Sequence, residues 1–250
     1  INLGECNLSL NDEVELIVDE QFRNNVCSNH SATHLLNQSL RVVLGDHVVQ
    51  QGSLVSDERL RFDFNHYNNL TNEEILSIEN IVNEQINKAI PVITKEVAKE
   101  EALKSGAQAA FGEKYGDVVR VVDMDFSKEL CGGTHVENTS DIVKFAVLSI
   151  ESKGSGIFRI EAVTGANVLD LLNEKIEVIN TSSSILKLAN PNELVARISA
   201  VSEELKQKAI EEYLAKQAEE ETRHQQWVQQ TLRRLFFLKT TASLRYRVSF

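Results

Sequence analysis

The sequence predicts an α+β fold, in which a mixed or antiparallel sheet carries packed helices and a helical, coiled-coil-like C-terminal segment follows. Segments with alternating apolar and polar residues, typical of half-buried strands, are interleaved with segments whose apolar residues recur at helical spacing. From Gly165 onward only the helical pattern remains. The 250 residues allow one or two domains with a sizeable core, and no apolar run approaches the ~20 residues that span a bilayer.

The N-terminal segment, residues 1–22, is predicted to be hairpin-like β structure. Val14, Leu16 and Val18 alternate along the chain, and an Asn-Asp turn signal precedes them. We interpret residues 1–23 as the end of a β-barrel that precedes the main domain. An edge strand of the main domain is an equally good interpretation of the same pattern.

Residues 28–44 predict an amphipathic helix. Ser28 or Asn29 can serve as its N-cap, and Gly45 can end it. A β-hairpin is predicted next, over residues 47–64.

The hairpin pattern contains Gly52, which suggests a bulge or a close backbone approach. Residues 71–90 then predict a long amphipathic helix that starts with a capping box formed by Thr71 and Glu74. We interpret both the hairpin and this helix as structural elements without a direct functional role. The other predicted elements are, in chain order, a strand at 92–97, a helix at 98–106, a glycine-punctuated turn at 110–117, strands at 118–122 and 142–150, a flexible loop at 152–156, a strand at 157–163 that closes the sheet, a helix at 166–180, and a helix that starts at Asn190-Pro191. The tail after Phe237 has no clear periodicity.

Two short motifs carry the metal chemistry: His-Ser-Ala-Thr-His at residues 30–34 and Cys-Gly-Gly-Thr-His at residues 131–135. Histidines four residues apart lie on one face of a helix, and the two glycines let the second motif bend tightly. Zn²⁺ takes thiolate and imidazole ligands in tetrahedral geometry. Taken alone, the histidine pair is better explained as a satisfied core pair, but together the motifs complete a zinc site. The four predicted ligands are His30, His34, Cys131 and His135.

Composition sets further limits. The net charge is −11, yet six basic and no acidic residues follow position 221, so charge neither supports nor excludes an RNA partner. Three scattered cysteines argue against a disulfide framework and predict a reducing compartment, the cytoplasm. Because the only methionine is Met124, the chain is expected to be a piece of something longer.

The motifs together resemble the middle of the alanyl-tRNA synthetase family, from the end of a barrel through the editing domain to the start of a C-terminal helical region. The matching stretches are Asn-His-Ser-Ala-Thr-His-Leu-Leu (29–36), Gln-Gly-Ser-Leu (51–54), Leu-Arg-Phe-Asp-Phe (60–64), Phe-Gly-Glu-Lys-Tyr-Gly (111–116), Leu-Cys-Gly-Gly-Thr-His (130–135) and Arg-Ile-Glu-Ala-Val-Thr-Gly (159–165). They follow the family's order. The resemblance implies a zinc-dependent editing domain over residues 24–165 and a helical segment with a basic tail over residues 166–250.

This resemblance implies hydrolysis of the ester that joins serine or glycine to the terminal ribose of alanine tRNA. A synthetic pocket shaped for alanine cannot strongly reject an isostere that adds a hydroxyl, whereas a second site that hydrogen-bonds the hydroxyl can. Thr33 is the candidate for sensing that hydroxyl, and Gln50 for holding the ester or the attacking water. These two are the candidate catalytic residues, and both would bind substrate. The further substrate-binding candidates are Gly132, Gly133 and Arg159.

One position departs from the family's pattern. Phe158 stands where members often carry an arginine, so a contact with the tRNA end is not implied there. The expected partner is alanine tRNA mischarged with serine or glycine. ATP and alanine would bind only the catalytic core of a parent ligase, which these residues lack, and no membrane partner is expected.

Other interpretations remain open at this stage. They are a free-standing editing hydrolase, the related threonyl-tRNA synthetase editing domain, and a zinc-stabilised RNA-binding module without activity. The role of zinc is also open, because four protein ligands close the coordination sphere while a water-activating zinc keeps one position free. Positioning of the substrate by zinc is favoured over displacement of a ligand such as Cys131.

Overall fold

The computed structural model describes residues 11–109 and 115–246, with side chains described up to residue 236. The chain divides into two compact units, Ile1–Glu174 and Lys175–Phe250. The domain boundaries at residues 23 and 165 stay predictions. The described elements are α1 (Glu20–Leu44), β1 (Gln50–Val55), β2 (Leu60–Asn65), α2 (Asn72–Asn87), β3 (Ile93–Ala98), α3 (Lys99–Lys104), β4 (Val118–Asp123), β5 (Lys128–Leu130), a 3₁₀ turn (Thr139–Ile142), β6 (Phe145–Gly154), β7 (Ile157–Thr164), α4 (Ala166–Ile185), a 3₁₀ turn (Pro191–Glu193) and α5 (Leu194–Tyr246).

The predicted α+β class is confirmed, with every strand ladder antiparallel in the described residues. One sheet has the order β1-β2-β7-β6 and the other β3-β4-β5. The prediction that the strand at 157–163 closes the sheet was wrong, because β7 lies between β2 and β6. Ile160 pairs with Phe62 on one side and with Ile150 on the other.

The prediction of β structure over residues 1–22 was wrong where it can be compared with the structure. Residues 12–19 form no strand, and α1 has already begun at Glu20. Val14, Leu16 and Val18 are exposed, because in residues 11–19 no neighbouring strand pairs with them. Residues 1–10 of this prediction, and 110–114 of the predicted turn, lie outside the described residues.

Helix α1 begins earlier than predicted because its N-cap is Asp19, whose carboxylate accepts a hydrogen bond from the Phe22 N–H at 3.0 Å. The predicted caps lie inside the helix. Asn29 stays there because tertiary partners use its side chain: the amide donates to the Ser56 carbonyl at 2.9 Å, and the Thr164 hydroxyl donates to its oxygen at 2.7 Å. The predicted end is confirmed at the C-cap Gly45.

Several local predictions are confirmed. The hairpin of β1 and β2 carries a register shift between Gln50 and Gly52, the expected bulge. The capping box of Thr71 and Glu74 is formed at the start of α2. Strands β3 and β4 and helix α3 occupy the predicted segments.

Three segments differ from their predictions. The strand predicted from residue 142 begins at Phe145, because a 3₁₀ turn capped by Asn138 occupies the preceding residues. The predicted loop at 152–156 is the end of β6 followed by a tight turn at Ser155-Gly156, in which both residues have positive φ. The tail after Phe237 continues α5 as far as Tyr246.

The main core lies where α1 and α2 pack on one face of the four-stranded sheet. Its largest fully buried side chains include Leu35, Leu36, Leu40, Phe62, Phe64, Ile78, Ile86, Phe145 and Ile160. Strand β2 contributes alternate residues to this core, and the intervening residues face away from it. Packing of α1 against this sheet leaves the helix side that carries the histidines to face β4 and β5.

A buried amide fastens α2 to strand β6. The Asn83 side chain donates to the Phe145 carbonyl at 2.9 Å and accepts from the Phe145 N–H at 3.0 Å. It therefore replaces a strand neighbour at the start of β6. In the described part of the chain, no helix is both long and apolar enough to cross a bilayer.

We expect Asn83→Ala to lower the free energy of unfolding by about 2–3 kcal/mol, because it leaves a buried N–H and a buried C=O without partners. Urea denaturation followed by circular dichroism measures this change. The matched control is Asn87→Ala, which truncates an exposed asparagine of the same helix and is expected to stay within about 0.5 kcal/mol. Equal effects of the two substitutions would contradict the assigned role of Asn83.

Candidate metal centre

The structure brings the four predicted ligands together. His30 and His34 lie on α1, and Cys131 and His135 lie in the loop that follows β5. Their ligand atoms all lie within 4.8 Å of one another, and Cys131 Sγ is 3.4 Å from Nε2 of both His30 and His135. In a tetrahedral zinc site an imidazole nitrogen and a thiolate sulfur are about 3.6 Å apart. The two measured sulfur–nitrogen distances are therefore close to the spacing around Zn²⁺.

Each imidazole places its Nδ1 toward a polar group outside the cluster, which leaves Nε2 for the metal. His30 Nδ1 lies 3.1 Å from the Thr134 carbonyl oxygen, which can only accept a hydrogen bond. His135 Nδ1 lies 3.0 Å from the Ser31 hydroxyl, which also accepts from the Val136 N–H at 3.1 Å. Such partners fix the tautomer of a metal-binding histidine.

The electrostatics favour neutral imidazoles. Burial lowers the pKa of His34 to about 3 and that of His135 to about 2, and it also lowers the pKa of His30. The neighbouring histidines and Arg120 add to the effect at His34 and His135. Neutral imidazoles keep a lone pair for a metal at pH 7, so the donor set suits Zn²⁺.

Arg120, which the sequence prediction missed, holds the loop of the second motif. Its guanidinium donates to the carbonyl oxygens of Cys131 at 2.8 Å and Gly133 at 2.6 Å, and the Cys131 N–H donates to the Arg120 carbonyl at 3.0 Å. A single cation inside the apolar strand Val-Val-Arg-Val-Val was the available signal.

The two glycines of the motif have different surroundings. A Cβ added at Gly133 would lie 2.2 Å from His30 Cε1, well inside contact distance, whereas one added at Gly132 meets nothing within 4 Å. Gly133 is therefore required for the loop to approach the His30 ring. This is a packing role, and the predicted contacts of both glycines with substrate stay predictions.

Glu129 is a second residue that the sequence prediction missed. Its Oε2 lies 3.5 Å from His34 Nδ1, and its Oε1 accepts from the Asn37 amide at 2.9 Å and the Ser127 hydroxyl at 3.2 Å. Burial raises the pKa of Glu129 to about 7, against the opposite effect of these two hydrogen bonds. The available signal was its position two residues before Cys131, because alternate strand residues share a face.

Gln50 lines a cavity of about 260 Å³ whose lining is partly polar and partly apolar and includes Glu129. Its amide donates to the Ser53 hydroxyl at 3.3 Å. Glu129 also contacts His34 from the Nδ1 side, so this one residue separates the cavity from the cluster. The lining residues are Asn37, Arg41, Val48, Val49, Gln50, Gln108, Ala109 and Glu129.

A larger cleft of about 710 Å³ lies against the loop that carries the second motif, residues 131–135. Thr134, His135 and Arg120 form part of its wall. Its lining contains two arginines and two acidic residues, and His135 connects it to the cluster. The remaining lining residues are Arg23, Asn24, Cys27, Ser28, Val136, Glu137 and Asp141.

The other two candidates have partners of their own. Thr33 is buried, and its hydroxyl donates to the Asn29 carbonyl at 2.8 Å within α1, a bond common for helical threonines. Arg159 forms a bidentate pair with Asp63 at 2.7 and 2.8 Å, which lowers the pKa of that carboxyl. Phe158, next to it, is buried in the core against Phe64. The functional roles of Thr33 and Arg159 stay predictions.

We expect Gly133→Ala to reduce bound zinc sharply, since the added methyl group displaces the His30 ring from the cluster. Metal analysis after gel filtration should give about one zinc per chain in the unsubstituted protein and less than about a tenth of that in the variant. Gly132→Ala is the matched control and is expected to keep its zinc content. Full zinc content in Gly133→Ala would refute this packing argument.

Comparison with known proteins gives consistent matches. Residues 119–161 match the family described as "Threonyl and Alanyl tRNA synthetase second additional domain". The chain is 49% identical over 202 residues to the alanine–tRNA ligase of Thermoanaerobacter sp. (strain X514), which is 80% of this chain and 23% of that relative. It is 52% identical over 196 residues to alanine–tRNA ligase 1 of Lachnoclostridium phytofermentans, which is 78% of this chain and 22% of that relative. For the Bacillus anthracis enzyme the identity is 47% over 204 residues, 81% of this chain and 23% of the relative. The chain thus spans about a quarter of the length of these relatives.

Proposed function

This chain is a partial alanyl-tRNA synthetase region, and we propose that it hydrolyses the ester in alanine tRNA that has been mischarged with serine or glycine. The observation that carries the proposal is the meeting of four zinc-type ligands, one of which, His34, is linked through Glu129 to the cavity that Gln50 lines. An ester hydrolase needs polar groups that hold the carbonyl and the attacking water close to a positive charge.

His30, His34, Cys131 and His135 would hold the zinc ion. A bound Zn²⁺ would supply positive charge and order this wall of the site. Two side chains of the chain itself are proposed to contact the substrate or the attacking water. The Gln50 amide can donate to the ester oxygen or accept from a water, and Thr33 is proposed to recognise the serine hydroxyl.

Entry of the tRNA end is proposed through the larger cleft, whose wall includes His135 and Arg120. Guanidinium groups suit phosphate oxygens, and Arg23 at the same cleft is exposed. The matched relatives are alanine–tRNA ligases, which favours alanine tRNA over threonine tRNA as the partner. Joining of alanine to tRNA with ATP, and a cytoplasmic location, are proposed for the whole protein only.

The purified chain is expected to release serine from seryl-tRNA(Ala) far faster than buffer alone. Replacing Cys131 and His135 together with alanine should slow this release more than about 100-fold, since two metal ligands are lost. The control His224→Ala removes an exposed histidine of α5 and should leave the rate unchanged. Release of labelled serine measures both rates. A parent rate equal to that of buffer would reject the hydrolase and leave a tRNA-binding role.

Thr33→Val tests hydroxyl sensing, because valine keeps the shape and removes the hydrogen-bonding group. We expect hydrolysis of seryl-tRNA(Ala) to fall about tenfold, the equivalent of one hydrogen bond to substrate, and hydrolysis of glycyl-tRNA(Ala) to change little. Single-turnover rates with both substrates measure the difference. Equal losses would show that the hydroxyl matters only for its bond to the Asn29 carbonyl.

A further inference from the structure

The His34 ring has a buried nitrogen without a formed hydrogen bond. In the described residues no hydrogen-bond partner reaches His34 Nδ1, and the His34 side chain is only 6% exposed. A buried N–H that lacks an acceptor costs about 1–3 kcal/mol. The other two histidines of the cluster already have an acceptor in place at about 3 Å.

The Glu129 carboxylate lies close enough to become the hydrogen-bond acceptor of His34 Nδ1. Its Oε2 is 3.5 Å from His34 Nδ1, slightly longer than a formed hydrogen bond, and its side chain is 12% exposed. Its other oxygen is held by Asn37 and Ser127, so the carboxylate plane is fixed while Oε2 stays directed at the ring.

The backbone fixes Glu129 as well. It pairs with Val122 in the β4–β5 ladder and forms a bridge to Gln108 on its other side. Asn37 follows His34 by one helical turn on α1, so the helix that carries the metal ligand also holds the carboxylate. Hydrogen bonds thus connect α1, strand β5 and the Glu129 carboxylate on the Nδ1 side of the His34 ring.

We propose that Glu129 is the positioning residue of the metal centre: its carboxylate accepts a hydrogen bond from the His34 Nδ1–H, fixes the tautomer, and directs Nε2 at the metal. Partners of this kind raise ligand basicity, and their loss typically weakens metal binding 10–100-fold. Glu129 is also the only carboxyl group among the three acceptors behind the histidines; the other two are a carbonyl and a hydroxyl. This inference rests on the proposed metal centre and is independent of the deacylase activity.

The test is the zinc dissociation constant, measured by competition with a chromogenic chelator in the whole chain. We expect Glu129→Ala to weaken binding 10–100-fold. Glu129→Gln should recover most of that loss, because its amide oxygen can still accept from His34 when the Asn37 amide reverses. The control Ser127→Ala removes a bond to the other carboxylate oxygen and is expected to change the constant less than about threefold.

A second measurement separates positioning from simple support of the fold. Long-range ¹⁵N–¹H spectra of the zinc-loaded parent should show His34 protonated at Nδ1 and metal-bound at Nε2. Coordination through Nδ1, or zinc binding by Glu129→Ala within twofold of the parent, would overturn the proposal. So would equal weakening in the alanine, glutamine and Ser127→Ala variants. If Glu129→Ala does not fold, the Glu129→Gln constant and the parent spectrum decide.

The outcomes for the inference and for the proposed function can be told apart. Zinc binding that depends on Glu129 without serine release would uphold the inference and reject the hydrolase. Serine release together with Glu129-independent zinc binding would do the reverse. A parent chain that binds no zinc overturns the metal centre and the role of Glu129 together.

Discussion

The packing of α1 against strand β5 and the loop of residues 131–135 is the contact on which the rest of the site depends. The two ligand pairs are about a hundred residues apart in sequence, and neither pair could hold an ion tightly alone. The contact is specific on both sides. Gly133 lets the loop backbone reach the His30 ring, and Arg120 ties the loop to strand β4 through two carbonyl oxygens. The histidine side of α1 contacts Glu129 of β5 and the loop that follows this strand.

Burial, together with hydrogen-bond acceptors around the cluster, explains how three imidazoles can lie so close together. Burial suppresses their protonation, so the mutual repulsion of three cations is avoided at neutral pH. Ser31, Thr134 and Glu129 then provide acceptors on the outer side of each ring. The ligand atoms of all four side chains lie within 4.8 Å of one another, so the cluster could hold a metal ion.

The cluster is connected to a neighbouring cavity through one residue. Glu129 belongs both to the wall behind His34 and to the cavity that Gln50 lines. The β1 bulge beside Gln50 changes the direction of this strand, and bulges often serve to aim side chains at functional sites. Arg159, the remaining substrate-binding candidate, already has a partner. Its bidentate pair with Asp63 uses much of its hydrogen-bonding capacity. A tRNA phosphate would have to compete with that carboxylate.

The sequence by itself determined the α+β class, the capping box of α2, the β1–β2 hairpin with its bulge, and which four side chains meet in the cluster. Each of these depends on periodicity, on short-range spacing, or on the donor chemistry of a few residues. The tertiary structure decided what depends on distant partners. Residues 12–19 alternate like a strand but have no strand beside them, and Asn29 resembles a helix cap but is held inside α1 by Ser56 and Thr164. Arg120 and Glu129 gain their roles only when β4, β5 and α1 meet, because a carbonyl or an imidazole nitrogen becomes their partner through packing and not through sequence spacing.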